Sequence, residues 1–252
     1  SILQQIQQFW VARRADVMEQ ASRVAAAVEQ SDQRQDQAKA LDPEIVPKAT
    51  QGIMRNFDEL QGGFSLAPKF PHEPLLHLLL NQAQRRHDKQ ALHALEVTLD
   101  AMARGGIYDQ VAGGFHRYAT DNEWLVPHFE KMLYNQAQLA RIYLLAWRLT
   151  GKQKYRRVAT QTLDYVLREM TAPGGGFYSA TDADSEGKEG AFFVWTPQQI
   201  HQTLAKQDAE LAIKLYSVTN AGNFEGHNIL HLRLGLEEFA ERVADEANRR
   251  VL

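Results

Sequence analysis

A glycine closely followed by phenylalanine marks four connections in this chain: Gly63-Phe64, Gly114-Phe115, Gly176-Phe177 and, with one residue between, Gly222 and Phe224. Each lies between runs that read as helices, at intervals of roughly 50 to 60 residues, the mark of a repeated supersecondary unit. The unit is a helical hairpin closed by an aromatic-glycine turn, whose phenylalanine is expected to pin neighbouring units into a core. Such hairpins either lie side by side as a solenoid or close into an α/α toroid. The period is common to both. Loops bearing His, Asp and Trp at the same relative place favour a ring with one functional mouth.

The helices are read from periodicity. Ile2, Leu3, Ile6, Phe9, Trp10, Val17, Val24 and Val28 recur at helical spacing, as one long or once-broken helix. The polar stretch from Gln30 to Lys39 reads as a linker, and Asp42-Pro43 as an N-cap and first helical residue, opening a helix toward Phe57. QGGFSLAPKFPHEP is too rich in glycine and proline for regular structure, so it is a shaped loop. A third helix starts at Leu75, and a fourth carries His93, Leu95, Leu99 and Met102 to a stop at Gly105-Gly106. From Pro127, taken as a first helical residue, Phe129, Met132, Leu133, Gln136, Leu139, Tyr143 and Trp147 trace a half-buried helix that stops at Gly151. The next helix, about Lys152 to Met170, turns Tyr155, Val158, Ala159, Leu163, Val166 and Leu167 inward. Phe177-Tyr178 and Phe192 to Trp195, separated by an acidic turn, predict a β-hairpin between helices. Thr196-Pro197 opens a further helix, and two shorter helical segments close the chain around AGNFEGHNIL.

Composition narrows the function. With 252 residues, 44% of them hydrophobic, and a formal charge of −3, the chain can bury a sizeable core and has no electrostatic bias toward nucleic acid or anionic membrane. Its apolar runs fall short of the ~20 residues of a membrane span, and no signal peptide is visible. It contains no cysteine, which removes disulfides, thiolate nucleophiles and cysteine zinc sites and is compatible with a cytoplasmic setting. The helical pattern is already under way at Ser1, so the chain is expected to be one piece of a longer protein, read here as a single domain over residues 1–252.

The densest chemistry lies in Gly105 to Gln138, GGIYDQVAGGFHRYATDNEWLVPHFEKMLYNQAQ. This stretch, with GGFSLAPKFP, GGFYSATDADSEGKEGAFFVWTPQQI and GNFEGHNIL, resembles in order the signature segments of the YyaL-type thioredoxin-domain family, whose animal members are spermatogenesis-associated proteins. The resemblance covers most of the chain from about Leu41 and implies an all-α fold, an α/α toroid of the six-hairpin glycosidase type with short β-hairpins in its connecting loops. It further implies a preceding thioredoxin-like domain that this chain lacks, and a continuation past Leu252, since six hairpins need more helices than are present. A fainter likeness to N-acylglucosamine and cellobiose 2-epimerases runs through KMLYNQAQ and TGKQKYRRVA, and GGFYSATDAD resembles their glycine-aromatic-aspartate loop, with Thr181 where an acidic residue is usual.

Toroids of this kind bind sugars on aromatic faces and through hydroxyl hydrogen bonds. Tyr108, Tyr118, Trp124 and Tyr178 are the stacking candidates, and Asp109, Arg117, Asp121, Asp182 and Asp184 the hydroxyl-binding ones. Proton transfer beside a carbonyl needs an acid and a base, for which His116 and His128 are the candidates. Glycoside hydrolysis would instead need two carboxylates at a fixed gap, drawn from Glu130, Asp182 and Asp184. No cofactor or metal is expected: Phe193 stands where a calcium loop opened by Asp182 needs glutamate, and neither phosphate-loop nor histidine-pair zinc spacings occur. Two functions follow: a carbohydrate-active enzyme, a sugar epimerase or isomerase, or a non-catalytic glycan- or protein-binding toroid serving as scaffold for a thioredoxin-like domain.

Overall fold

A computed structural model describes residues 1–32 and 42–251, which form two compact units, Ser1–Val46 and Pro47–Leu252. The first holds α1 (Ile2–Ala12) and α2 (Arg14–Asp32). The break between them falls at Arg13, and Ser1 and Gln4 close a reciprocal capping box that satisfies amides at the start of α1. Most of the linker expected over Gln30 to Lys39 lies outside the described residues.

α3 (Ile45–Met54) starts later than Pro43 and ends before Phe57. Asp42 is the reason for the late start: its side chain accepts from the Glu44 amide and its carbonyl from the Ile45 amide, making a turn before the helix. Two helical hairpins follow, α4 (Glu73–Arg86) with α5 (Lys89–Arg104) and α6 (Leu133–Thr150) with α7 (Gln153–Glu169), and α4 also packs on α6. Asp88 caps α5 through the amides of Gln90 and Ala91, and Gly151 ends α6 in the left-handed conformation. The core between them contains Leu76, Leu79, Leu95, Leu99, Ile142 and Tyr143, all fully enclosed. Each such side chain contributes about 1.5–3 kcal/mol on burial.

On α7 the inward stripe is Tyr155, Val158, Ala159, Thr162 and Tyr165. Leu163 and Leu167, expected inside, are exposed because the stripe steps by three and four residues from Tyr155 and passes them by. The last helices are α8 (Pro197–Thr203), α9 (Lys206–Leu215) and α10 (Leu236–Val251), with Thr196 and Gln199 forming the capping box of α8. Among the described residues no helix is long and apolar enough to cross a membrane.

The strands are two-residue antiparallel pairs: β1 (Tyr118–Ala119) with β2 (Pro127–His128), β3 (Lys131–Met132) with β4 (Ala180–Thr181), β5 (Asp184–Ser185) with β6 (Lys188–Glu189), and β7 (Val194–Trp195) with β8 (Asn228–Ile229). Two sequence expectations are corrected here. Pro127 opens a strand, and α6 begins only at Leu133. The runs Phe177-Tyr178 and Phe192 to Trp195 do not pair with each other; the hairpin is the acidic turn itself, β5–β6.

Of the four repeated phenylalanines, Phe64 and Phe115 are core pins, and Phe224 packs on a smaller cluster of Phe129, Ala183 and Ile229. Phe177 is 54% exposed. Its turn closes locally, with the Ala172 amide donating to the Gly176 carbonyl, and nothing lies within 4 Å of a side chain added at Gly174, Gly175 or Gly176. Among the described residues nothing packs on the glycines of that turn, and Phe177 joins none of the core clusters.

Candidate functional site

The site is built on residues 105–132. Gly105 and Gly106 run against Trp124 and Leu125 so closely that an added Cβ would stand 2.4 Å from the Trp124 carbonyl oxygen and 2.1 Å from that of Leu125. Trp124 is wholly buried, with φ of 64°, and donates from its indole nitrogen to the Gln61 carbonyl at 2.8 Å. It wedges the glycine-rich loops together and offers no ring face to a ligand. Asp121 accepts from the amides of Glu123, Leu125 and Val126, shaping the turn that carries Trp124.

Residues 127–132 are extended and alternate strictly in burial, with Pro127, Phe129 and Lys131 inward and His128, Glu130 and Met132 outward. This alternation divides the candidate residues between two faces.

On the outward face, His128 Nδ1 lies 2.7 Å from Glu189 Oε1 and its Nε2 3.8 Å from Glu130 Oε2. Arg117 Nη1 donates to the same Glu130 oxygen at 2.9 Å, while Arg117 Nε is buried with no hydrogen-bond partner among the described residues. Tyr118 is stacked between Phe70, at 4.7 Å between centroids, and His128, at 5.1 Å. Strand pairing explains the meeting, because Tyr118 stands opposite His128 and the Arg117 amide bonds to the Glu130 carbonyl. The result is a charge chain of Arg117, Glu130, His128 and Glu189, with the imidazole 30% exposed.

On the inward face, His116 is buried, and its Nδ1 lies 2.9 Å from the Phe129 carbonyl. Burial, with the Lys131 ammonium nearby, lowers its pKa to about 3, so the ring is neutral and Nδ1 is the nitrogen that donates. Lys131 is fully enclosed; its Nζ donates to Asp109 Oδ2 at 2.8 Å and to the Gly113 carbonyl at 3.0 Å, and stands 4.0 Å over the Tyr165 ring. Burial alone would raise the Asp109 carboxyl, but Lys131 overrides it and holds it below the usual carboxylate range. Asp109 Oδ1 takes the amides of Val111 and Ala112.

Two cavities open on this inward face. One of about 300 Å³ is walled by Tyr108, His116, Phe129, Phe193, Trp195 and Leu230, and the other, about 500 Å³, by Lys131, Tyr165, Asp182, Phe192 and Phe193 among others. They share Asp109, Val111, Ala112, Phe192 and Phe193. His128 and Glu130 line neither. The sequence candidates therefore separate: Arg117, Tyr118, His128 and Glu130 meet outside, Tyr108, Asp109 and His116 line the inner cavity, and Asp182 lines the larger one. Tyr108 donates to Gln161 at 2.7 Å from within the core. Tyr178 and Asp184 are exposed, Asp184 opposite Glu189 in the acidic hairpin.

Sequence reasoning assigns no site role to Glu189, Lys131, Phe192 or Phe193. Lys131 had a signal, since alternation with His128 places it inward; Glu189 had none, because its partner is 61 residues away. Among the described residues no group of three or more His, Cys, Asp or Glu is placed to hold a metal ion.

No protein-family model matches the chain. It is 37% identical over 282 residues to spermatogenesis-associated protein 20 of Homo sapiens, an alignment covering 96% of this chain and 35% of that protein. The Mus musculus protein of the same name is 40% identical over 225 residues, covering 76% of this chain and 28% of its own. Both are homologues, and the chain spans about a third of the length of the curated relatives it matches. Cellobiose 2-epimerase of Bacteroides fragilis is 24% identical over 127 residues, 47% of this chain and 32% of that protein. Among solved structures, a sugar epimerase from a ruminal bacterium aligns over 77% of this chain and 49% of its own at 15% identity, with a TM-score of 0.48.

Proposed function

We propose that this chain is part of a carbohydrate-active α/α toroid, and that its outward face transfers a proton at the carbon beside the carbonyl of an open-chain reducing sugar, as a 2-epimerase or isomerase must. The observation that carries the reading is His128 held between two carboxylates, Glu189 at 2.7 Å and Glu130 at 3.8 Å, at a solvent-accessible edge. An imidazole in that position takes the C2 proton as base and returns it as acid, to C1 in an isomerase or, once the enediolate has turned over, to the other face of C2 in an epimerase, while the carboxylates stabilise the charged ring in between. Arg117 fixes Glu130 and supplies the positive charge that an enediolate oxygen needs. Tyr118, stacked on His128, orients the ring. The partial likeness to a cellobiose 2-epimerase supports the choice of reaction. His116, neutral and on the opposite face, is not the second member of the pair in this reading.

The test is solvent exchange. The chain is incubated with cellobiose, glucose and mannose in deuterium oxide, and the C2 proton is followed by NMR. Exchange is expected with at least one sugar, reduced about 100-fold or more in His128→Gln. Absence of exchange with all three overturns the reading.

A second reading is a non-catalytic glycan- or protein-binding toroid, scaffold for a thioredoxin-like domain in a longer cytoplasmic protein. It is favoured by the way Arg117, Glu130, His128 and Glu189 already satisfy one another.

A further inference from the structure

The 300 Å³ cavity has a chemistry that the sugar reading does not use. Its walls are mostly apolar and aromatic: Phe129 and Phe193 are stacked at 5.7 Å, and His116 meets both edge-on, at 5.3 and 4.8 Å. Its other titratable groups are already engaged, Asp109 with Lys131 and two amides, and the Tyr108 hydroxyl with Gln161. His116 differs. The ring is 2% exposed, its Nδ1 is committed to the Phe129 carbonyl, and its Nε2 has no hydrogen-bond partner among the described residues. With the proton on Nδ1, Nε2 is a lone-pair acceptor. Nε2 thus faces the cavity as an accessible acceptor with which a bound donor can pair.

We propose that this cavity is a binding site for a small flat aromatic molecule carrying a single N–H or O–H donor, seated among Phe129, Phe193 and Trp195 with the donor on His116 Nε2. Volume sets the size of ligand. A dry apolar cavity of ~150 Å³ holds benzene; this one, at about 300 Å³, has room for a two-ring molecule. Aromatic rings prefer the edge and offset contacts that the His116, Phe129 and Phe193 rings present. Polyhydroxyl ligands are disfavoured here, because walls this largely apolar would leave most of their hydroxyls buried without partners. Anions gain nothing from a neutral imidazole.

The test compares indole with benzofuran, the same shape with the N–H replaced by oxygen, by titration calorimetry on the chain, with the ¹⁵N shift of His116 Nε2 followed in parallel. Indole is expected to bind at least tenfold more tightly, equivalent to about 1.4 kcal/mol, and to move the Nε2 resonance. His116→Phe is expected to equalise the two ligands. The shift is read in the unaltered chain, so it decides the matter even if that variant folds poorly. Equal affinity for the two, no binding of either, or an unmoved Nε2 resonance on indole binding overturns the proposal.

Discussion

Lys131 reaches Asp109 at 2.8 Å with none of the lysine side chain exposed, joining the strand that precedes α6 to the turn that follows α5. A pair of this kind is costly to form and costlier to break, because removing one partner strands the other charge in the interior. Lys131→Met is therefore expected to destabilise the chain by about 3–5 kcal/mol. The double variant Lys131→Met with Asp109→Leu should recover much of that loss. Urea unfolding of the three proteins checks both statements, and a double variant no better than the single would refute them.

The buried imidazole of His116 makes a second prediction, about pH. In the unfolded chain the ring takes up a proton near pH 6.5, but in the folded chain only near pH 3. Its contribution is complete above pH 6.5 and lost as pH falls toward 3, by roughly 2 kcal/mol already at pH 5. Burial shifts His77 and His231 in the same direction, so the comparison must be made against His116→Phe, which should show a shallower loss between pH 7 and 5. In an NMR titration from pH 8 to 5 the His116 ring signals should stay still.

Backbone contact at the loop crossing predicts a sharp contrast between two glycines. A methyl group at Gly106 would stand 2.1 Å from the Leu125 carbonyl oxygen and 2.4 Å from Ile229, whereas one at Gly174 meets nothing within 4 Å. Gly106→Ala is expected to cost at least about 2 kcal/mol, as overpacking does. Gly174→Ala should lie within about 0.5 kcal/mol of the parent. Thermal unfolding of the pair is sufficient.

The N-terminus of α8 gives a milder case. Thr196→Ala removes the side chain that caps the Gln199 amide and bonds to the Gln199 amide oxygen. A loss of about 1 kcal/mol is expected, with hydrogen exchange rising first at Gln198 and Gln199.

Much of this architecture is legible in the sequence because it is written in local terms. Helical periodicity, the Gly105 and Gly151 stops and the Thr196-Pro197 start depend on neighbours a few residues apart, and they give the ends of α5 and α6, both ends of α7 and the start of α8 to within a residue or two. The segment from Pro127 to Met132 misleads for a physical reason: its apolar residues fit the helical spacing of α6, yet its backbone bonds go to Arg117, Tyr118 and Thr181, which no local pattern reveals. Likewise Trp124 and Asp121 carry the residue types of a sugar site, but the close approach of Gly105 and Gly106 turns them into structural parts. Glycine-phenylalanine recurrence finds three turns whose phenylalanine packs on other segments and overstates the one at Gly176, because recurrence records sequence and says nothing of what packs above it.

The alternating segment before α6 has one more implication. Since even-numbered positions there serve solvent and odd-numbered ones the interior, a single-residue insertion or deletion ahead of it would transpose the two sets, driving glutamate and histidine inward and expelling phenylalanine and lysine. The length of the preceding turn is thus under tighter constraint than its composition. The outward chemistry can accordingly be rewritten at His128 and Glu130, one position at a time, while the interior beneath stays as it is.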